Sequence, residues 1–521
     1  MAAVSANLAA RLSERAARHP ERVAIVETRG GRTRRVTFAE LDARVAAFAA
    51  VLLARGIGPG DRVLVFVPMS IALYTVLLGT LRIGAVAVFV DAWADRGRLE
   101  RAIARTQPRA FVGILRAHLL RLTSAAVRRI PNAIVVGGGM PRARRPAPEA
   151  AMLAPEAPAL VTFTTGSTGR PKAAERSHGF LWSQHLALAE HIRLREGDVD
   201  MPTLPVFVLN NLACGVTSVL PDFDPRRPGD VRADVVLEQM QREGVTTSSG
   251  SPMFYQRLAE ACRASGRRLP LRALYTGGAP VLPPLVRALR DHVPEVHVVY
   301  GSTEAEPIAG IEGAEMLAAL DRSPGMGLCV GAPVPSVACR LARVHDGPIE
   351  LGAGGWADWS VPAGEPGEVC VSGAHVLAGY LDDPQSDRAQ KIHDGERVWH
   401  RTGDAARLDA SGRLWLVGRV SQRVVRAGVT WWPGPVETFA VGLPGVRHAA
   451  YVGMPDPALG QRAVLCVECE DARLEPASKP RLRADSGAPV DELRVLAHIP
   501  RDPRHASKTD LETLRRLITP R

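Results

Sequence analysis

The segment Val161-Thr-Phe-Thr-Thr-Gly-Ser-Thr-Gly-Arg-Pro-Lys172 carries the strongest chemical signal in the chain. Small residues let consecutive backbone N–H groups curl into an anion-binding nest. Thr164, Thr165, Gly166, Ser167, Thr168 and Gly169 supply the curl and its hydroxyl donors, and Lys172 adds a point charge suited to nucleotide β- and γ-phosphates. This is not a GxxxxGK[ST] loop, because Pro171 precedes the lysine and Ala173 follows it. A flexible polar turn would have the same composition. The lysine favours the phosphate reading: of 65 basic residues, only Lys172, Lys391, Lys479 and Lys508 are lysines. Where arginine serves nearly everywhere, a surviving lysine marks a place that suits a compact ammonium better than a planar fork.

A loop of this kind needs a rigid strand to deliver it, and the mostly apolar run 160–163 reads as the end of one. Strands are predicted at 63–67, 85–90, 110–113, 245–248, 273–277 and 296–300. Between them lie helical stretches at 37–55, 70–83, 98–105, 114–129, 231–243, 252–264 and 283–293. Strands alternating with helices of this length imply parallel sheets covered by helices, an α/β fold class. After about Gly310, short alternating runs such as 367–372 and 414–418 predict a β-rich subdomain. The last hundred residues mix strands at 449–453 and 463–468 with a helix at 509–518, an α+β pattern. Residues 137–158 and 471–489 read as surface linkers, the second as a mobile polar insertion.

The composition, 46% apolar and 23% charged over 521 residues, excludes disordered, collagen-like and disulfide-scaffold classes. Seven scattered cysteines fit a reduced, cytoplasmic protein. Cys466 and Cys469 have no second pair to complete a metal site. The net charge of +11 is read as spread along the chain without a run of five basic residues, so no nucleic-acid partner is expected. The N-terminus lacks the apolar core of a signal peptide. The longest apolar stretch, 63–90, is broken by Pro68, Arg82 and Gly84, so no transmembrane segment is expected.

The phosphate segment resembles the signature of the adenylate-forming superfamily, which holds acyl-CoA synthetases, luciferases and peptide-synthetase adenylation domains. Other motifs follow in that family's order. Tyr275-Thr-Gly-Gly-Ala-Pro280 is similar to its adenine-binding turn, Tyr300-Gly-Ser-Thr-Glu304 to its YGxTE motif, and Arg401-Thr-Gly-Asp404 to its RTGD motif. Gly418-Arg419, Gly428 and Glu437 resemble the start of its small C-terminal domain, and Pro503-Arg-His-Ala-Ser-Lys508 resembles its terminal lysine motif. The resemblance implies a large N-terminal domain over 1–418 and a small mobile C-terminal domain over 419–521. It also implies reaction of a carboxylate with ATP and Mg²⁺ to give an acyl-adenylate and pyrophosphate. Glu304 would then hold the metal, a hard cation that takes oxygen ligands. Gly277, Gly278, Ala279, Pro280, Tyr300, Gly301, Ser302 and Thr303 would line the nucleotide. Asp404 would accept from the ribose hydroxyls, Arg419 would bridge ribose and phosphate, and Lys508 would reach the reacting carboxylate. Each has an ordinary alternative: Asp404 as a turn residue, Glu304 as a helix cap, Lys508 as a solvated charge. Ser421 occupies the family's hinge position.

The segment 204–215 stands where the family builds its acyl pocket, and here it offers Phe207, Asn210, Asn211 and Gly215. No acidic residue stands ready for an amino-acid ammonium. The run 205–231 together with the YGSTE motif resembles the β-lactone synthetase branch of long-chain olefin biosynthesis. That resemblance implies a 2-alkyl-3-hydroxy fatty acid as substrate, closure of the lactone by its own hydroxyl, no need for CoA, and association with other enzymes of the same hydrocarbon pathway. Trp431, Trp432, Pro433 and Pro435 stand where CoA-using members line a pantetheine tunnel, and would narrow it. His178 is a candidate for orienting the hydroxyl, with a surface residue opening the next helix as the alternative. A long-chain acyl-CoA ligase, a fatty acyl-AMP ligase and an idle nucleotide-binding scaffold remain open alternatives. All of these readings require Lys172 and Glu304 to face one cavity.

Overall fold

The computed structural model describes residues 5–90, 96–137, 148–165, 171–224, 230–469, 473–476, 478–501 and 508–519, and only the backbone of Thr164, Thr165 and Pro171. Two sheets build the large lobe. The six-stranded sheet runs in the order Asn132–Val136, Ala110–Ile114, Arg62–Phe66, Val86–Phe89, Pro158–Thr165, Pro171–Ser177. Its first five strands are parallel, and the last folds back antiparallel on Pro158–Thr165. Alternate residues of these strands feed opposite cores, as the two-residue side-chain period requires. Val63 and Val65 join the cluster between the sheets, while Leu64 and Phe111 pack outward beneath flanking helices.

The second sheet has 14 strands. Its parallel part, from Val23–Arg29 through Thr247–Gly250 and Ala273–Gly277 to Glu295–Ser302, matches the expected alternation. The β-rich region does not form a separate sheet. Ala305–Glu312 pairs antiparallel with Glu295–Ser302, then Leu328–Pro333 and Leu414–Arg419 continue outward, so the parallel and antiparallel halves are one surface.

Two elements differ from expectation for local reasons. The helix predicted at 114–129 is a 3-10 turn, Leu115–Leu119, followed by the short helices Leu120–Thr123 and Ala125–Arg128. Ser124 interrupts the run and caps the last piece with its hydroxyl. Within the predicted insertion 471–489, Ser478–Ala484 is a helix that buries Leu482 in the C-terminal core beside Leu474.

That smaller lobe is α+β. Val446–Asp456, Gly460–Cys469 and Glu492–Leu496 form its sheet, covered by Pro433–Val441 on one face and Leu511–Ile518 on the other. Cys466 and Cys469 lie three apart on one strand and face opposite cores, so the pair cannot close on one ion. Glu437 is half-buried and accepts the Tyr451 N–H at 2.9 Å, and desolvation raises its carboxyl to about 7. A carboxyl that holds its proton more tightly when folded loses stability as pH climbs from the ordinary carboxylate range through 7. Glutamine keeps the acceptor and cannot ionise. Glu437→Gln is therefore expected to stabilise the protein by about 2 kcal/mol at pH 8 and by almost nothing near pH 4, read by calorimetric unfolding.

A short strap crosses between the two large sheets. Val376 bridges Ala305, Leu377 N–H donates to Glu304 O at 2.7 Å, Tyr380 bridges Ala174, and Leu381 N–H donates to Ala173 O at 2.9 Å.

Candidate active site

The phosphate segment is a β-hairpin. Thr164 pairs with Lys172 and Thr165 with Pro171, so Lys172 leaves the loop on a fixed strand. Gly166, Ser167, Thr168 and Gly169 lie outside the described residues. The YGSTE motif is also a hairpin and not a strand leading into a helix. Ser302 pairs with Ala305, which leaves Thr303 and Glu304 alone in the turn. Glu304 thus caps no helix. A Cβ on Gly301 would stand 2.9 Å from Ala305 O, so the turn closes this tightly only on glycine. Arg176 pins it by donating from Nη2 to Thr303 O at 2.8 Å.

The strap carries a side chain that joins the two hairpins. The Tyr380 hydroxyl donates to Glu304 Oε1 at 3.1 Å and lies 2.5 Å from the side-chain oxygen of Gln390. Lys172 Nζ stands 5.3 Å from the centre of the Tyr380 ring. Lys391 Nζ stands 5.0 Å from the same ring. Both distances fall in the range of a cation held by an aromatic face. Burial lowers the Lys172 ammonium, and the nearby charges of Glu304, Asp383 and Asp387 oppose that shift. Burial lowers Lys391 to about 8, again against Glu304. Lys391 Nζ also donates to Leu377 O and lies 3.2 Å from His400 Nδ1. Lys172 and Glu304 therefore converge on one tyrosine.

A second cluster sits at the carboxyl ends of the parallel strands, where ligands bind in open α/β sheets. Gly277 ends its strand beside Val299, and a Cβ there would stand 2.3 Å from Val299 O. Gly278 follows at φ +78°, and Ala279 and Pro280 lie beyond the end of the strand. Tyr300 donates its hydroxyl to Asp404 Oδ2 at 2.8 Å, and Arg419 Nε pairs with Asp404 Oδ1 at 3.0 Å. Asp404 and Arg419 are register partners on antiparallel strands. Asp404 is thus a strand residue in a charged network and not a turn residue. Arg401, from the same motif, is turned inward and pairs with Glu368 Oε2 at 2.6 Å and 2.9 Å.

Three candidates have structural work instead. His178 is fully buried at the far end of Pro171–Ser177 and accepts the Leu8 N–H at Nδ1, 3.3 Å. Six residues of strand place it about 20 Å from Lys172, so closeness in sequence becomes distance in space. Burial lowers its imidazole to about 4. Asn211 donates from Nδ2 to the buried Asp200 carboxylate at 2.8 Å and to Ser218 Oγ at 3.1 Å. Gly215 ends the helix Pro205–Cys214 at φ +77°. Asn211→Ala would leave Asp200 short of a donor, at an expected cost of about 2–3 kcal/mol in urea unfolding with the KM for ATP unchanged.

Phe207 packs with Tyr275 and Val299, on the strands that carry Gly277 and Tyr300. Asn210 Oδ1 accepts from His185 Nδ1 at 2.8 Å, and Asn210 lines an apolar cavity of about 50 Å³ with Leu8, Leu78 and Leu181. Ligand pockets start near 300 Å³, so this space does not hold a long acyl chain as it stands. Trp432 packs on Ala405, Val417 and Val420, which fixes the loop after Gly428 to the large lobe. Lys508 stands on the smaller lobe beside Thr509, which bridges Arg501 and meets His448 Nε2 at 3.0 Å.

Residues 12–381 match the family model described as AMP-binding enzyme. An olefin beta-lactone synthetase of Stenotrophomonas maltophilia (strain K279a) is 36% identical over 98% of this chain and 97% of its own. An olefin beta-lactone synthetase of Xanthomonas campestris pv. campestris is 34% identical, covering 98% and 96%. The crystal structure of ATP-bound MatB from Rhodopseudomonas palustris superposes with a TM-score of 0.81 at 24% identity, covering 99% of each chain.

Proposed function

The chain belongs to the AMP-binding enzyme family as an ATP-dependent adenylate-forming ligase, and we propose that it converts a 2-alkyl-3-hydroxy fatty acid to a β-lactone. The observation that carries the anionic end of this reading is the convergence of Lys172 and Glu304 on Tyr380. A carboxylate beside a buried ammonium fits a magnesium–triphosphate group, in which metal and anion alternate. Glu304 would hold the ion, which when bound supplies a hard Lewis acid at the phosphate oxygens.

Lys172 then binds the outer phosphates from the strand side. Asp404, held by Tyr300 and Arg419, takes the ribose hydroxyls, and Gly277–Pro280 lies along the adenine. Lys508 is brought in by the smaller lobe, on a division at residues 418 and 419 with Ser421 as hinge. It offsets the repulsion between two anions as the substrate carboxylate attacks the α-phosphorus and pyrophosphate leaves. The substrate's 3-hydroxyl next attacks the activated carbonyl carbon, loses its proton, and AMP departs with the bonding pair. Tethering replaces a second substrate, with effective molarities of about 10⁵ M or more for aligned groups. The resemblance to two proteins named olefin beta-lactone synthetase over nearly the whole chain supports this second step.

The deciding experiment supplies ATP, Mg²⁺ and a syn-2-alkyl-3-hydroxy acid without CoA. Lactone with stoichiometric AMP is expected. AMP release that requires CoA would make the protein an acyl-CoA ligase, and release of neither pyrophosphate nor AMP would make it a scaffold.

Tyr380 and Lys391 enter the proposal as positioning residues, absent from the motif reading. Tyr380→Phe keeps the ring within reach of both ammoniums and removes the hydroxyl's contacts with Glu304 and Gln390. It is expected to lower kcat by about tenfold and to raise the Mg²⁺ needed for half-maximal rate, with little change in stability.

A further inference from the structure

One basic and apolar surface takes no part in the site described. Ten of the chain's arginines and none of its acidic residues fall between residues 101 and 148. The even spread of charge read from the whole sequence fails for this stretch. Its described part carries three leucines in the open, Leu115, Leu119 and Leu122, at 73%, 60% and 74% exposure. All three stand on the solvent side of the 3-10 turn Leu115–Leu119 and the short helix Leu120–Thr123. The side chains between them are half-buried: Ala117 and Leu120 pack on the outer core of the six-stranded sheet, and His118 stands edge-on to Phe111 at 4.9 Å. His118 also bonds Ile134 O at 3.1 Å, which ties the turn to the edge strand Asn132–Val136. On that strand Val135 points away from buried Ile134, onto the side that carries the leucines, and is 45% exposed.

Arginines border the patch. Arg105 and Arg109 are paired with Asp383 and Asp61. Among the described residues, Arg116, Arg121, Arg128 and Arg129 form no ion pair. Clustered exposed leucines are uncommon on a monomer surface and mark a contact face. Exposed leucines beside four guanidinium groups that form no ion pair among the described residues complement apolar chains beneath a layer of phosphates. The carboxylate of Glu100, bonded by Ser124 Oγ at 3.3 Å, is the acidic group shown at this segment. Guanidinium groups meet phosphate oxygens two at a time, which an ammonium cannot do. No described helix is long and apolar enough to cross a membrane, so the contact lies on a surface.

We propose that the face formed by Leu115, Leu119, Leu122 and Val135, bordered by Arg116, Arg121, Arg128 and Arg129, docks on an anionic lipid bilayer. This does not rest on the lactone reading, and the test uses no substrate, so either proposal can fail alone. The full chain is sedimented with vesicles of phosphatidylglycerol and phosphatidylcholine, or of phosphatidylcholine alone. Binding is expected only to the mixed vesicles. It should weaken at about 1 M salt, where charge is screened beyond about 3 Å. Leu115→Ser with Leu119→Ser and Leu122→Ser is expected to reduce partitioning by about tenfold or more. Arg116→Gln with Arg121→Gln, Arg128→Gln and Arg129→Gln should do the same. Pyrophosphate exchange by both variants, unchanged from the parent, certifies that they fold. No binding by the parent chain, equal binding to neutral vesicles, or binding that survives loss of the leucines would each overturn the proposal. So would a dimer that the leucine variant dissociates, because a second copy would then cover the face.

Discussion

Glu304→Gln is expected to lower ATP–pyrophosphate exchange by about 10²–10³ and to abolish saturation by Mg²⁺ in the millimolar range. The argument is electrostatic. Lys172, Arg176, Lys391 and Arg419 all feel the Glu304 charge. One carboxylate at the hairpin turn is thus the common counter-charge of four cations, and it is the oxygen ligand a hard metal would take once the triphosphate has neutralised them. Glutamine fits the same space and can still accept from the Tyr380 hydroxyl, so the fold should survive. The four cations would then face the triphosphate without a carboxylate among them. Metal-free ATP should therefore bind at least as tightly while turnover falls. A magnesium titration of the exchange rate separates these effects. An unchanged magnesium profile would remove Glu304 from the metal.

Lys508→Ala is the second variant with a large expected effect, about 10²–10³ on formation of the acyl-adenylate. Its value lies in what it should spare. Lys508 is carried by the smaller lobe, beside Thr509 and the strand of His448, so its arrival depends on how that lobe is placed. Ring closure uses the substrate's own hydroxyl and an intermediate already formed. A chemically prepared acyl-adenylate given to the variant should therefore yield lactone at close to the parent rate. Equal losses in both steps would assign Lys508 to general binding, and no loss in either would return it to solvent. Mass-spectrometric quantification of lactone and AMP measures both.

The parallel strands were legible because apolar alternation and helix periodicity are local properties. Thr37 with Glu40 at the start of Phe38–Ala54, for example, forms a capping box that two residues announce. The motif order led to the anionic end of the site, since small residues and charges there serve one local loop each. What sequence did not reveal depends on long-range closure. Tyr380 meets Glu304 from 76 residues away, and only the scarcity of lysine pointed toward Lys391. His178 misled because a strand extends: a short step in sequence along Pro171–Ser177 crosses the whole sheet. Asn211 misled because a buried carboxylate, Asp200, claims its amide. A helix entry stays open as the alternative at Thr303 and Glu304, because a strand followed by a polar pair suits either outcome until Ala305 pairs back.

The strap from Val376 to Leu381 has a consequence for how such a protein can diversify. It fastens the lysine-bearing hairpin and the carboxylate-bearing hairpin to each other through main-chain bonds, while Phe207 and Asn210 ride on a separate helix, Pro205–Cys214. Selection, or an engineer, could therefore refashion that helix while the two hairpins keep their main-chain ties. Descendants with new acyl preferences would inherit their energy-coupling apparatus intact.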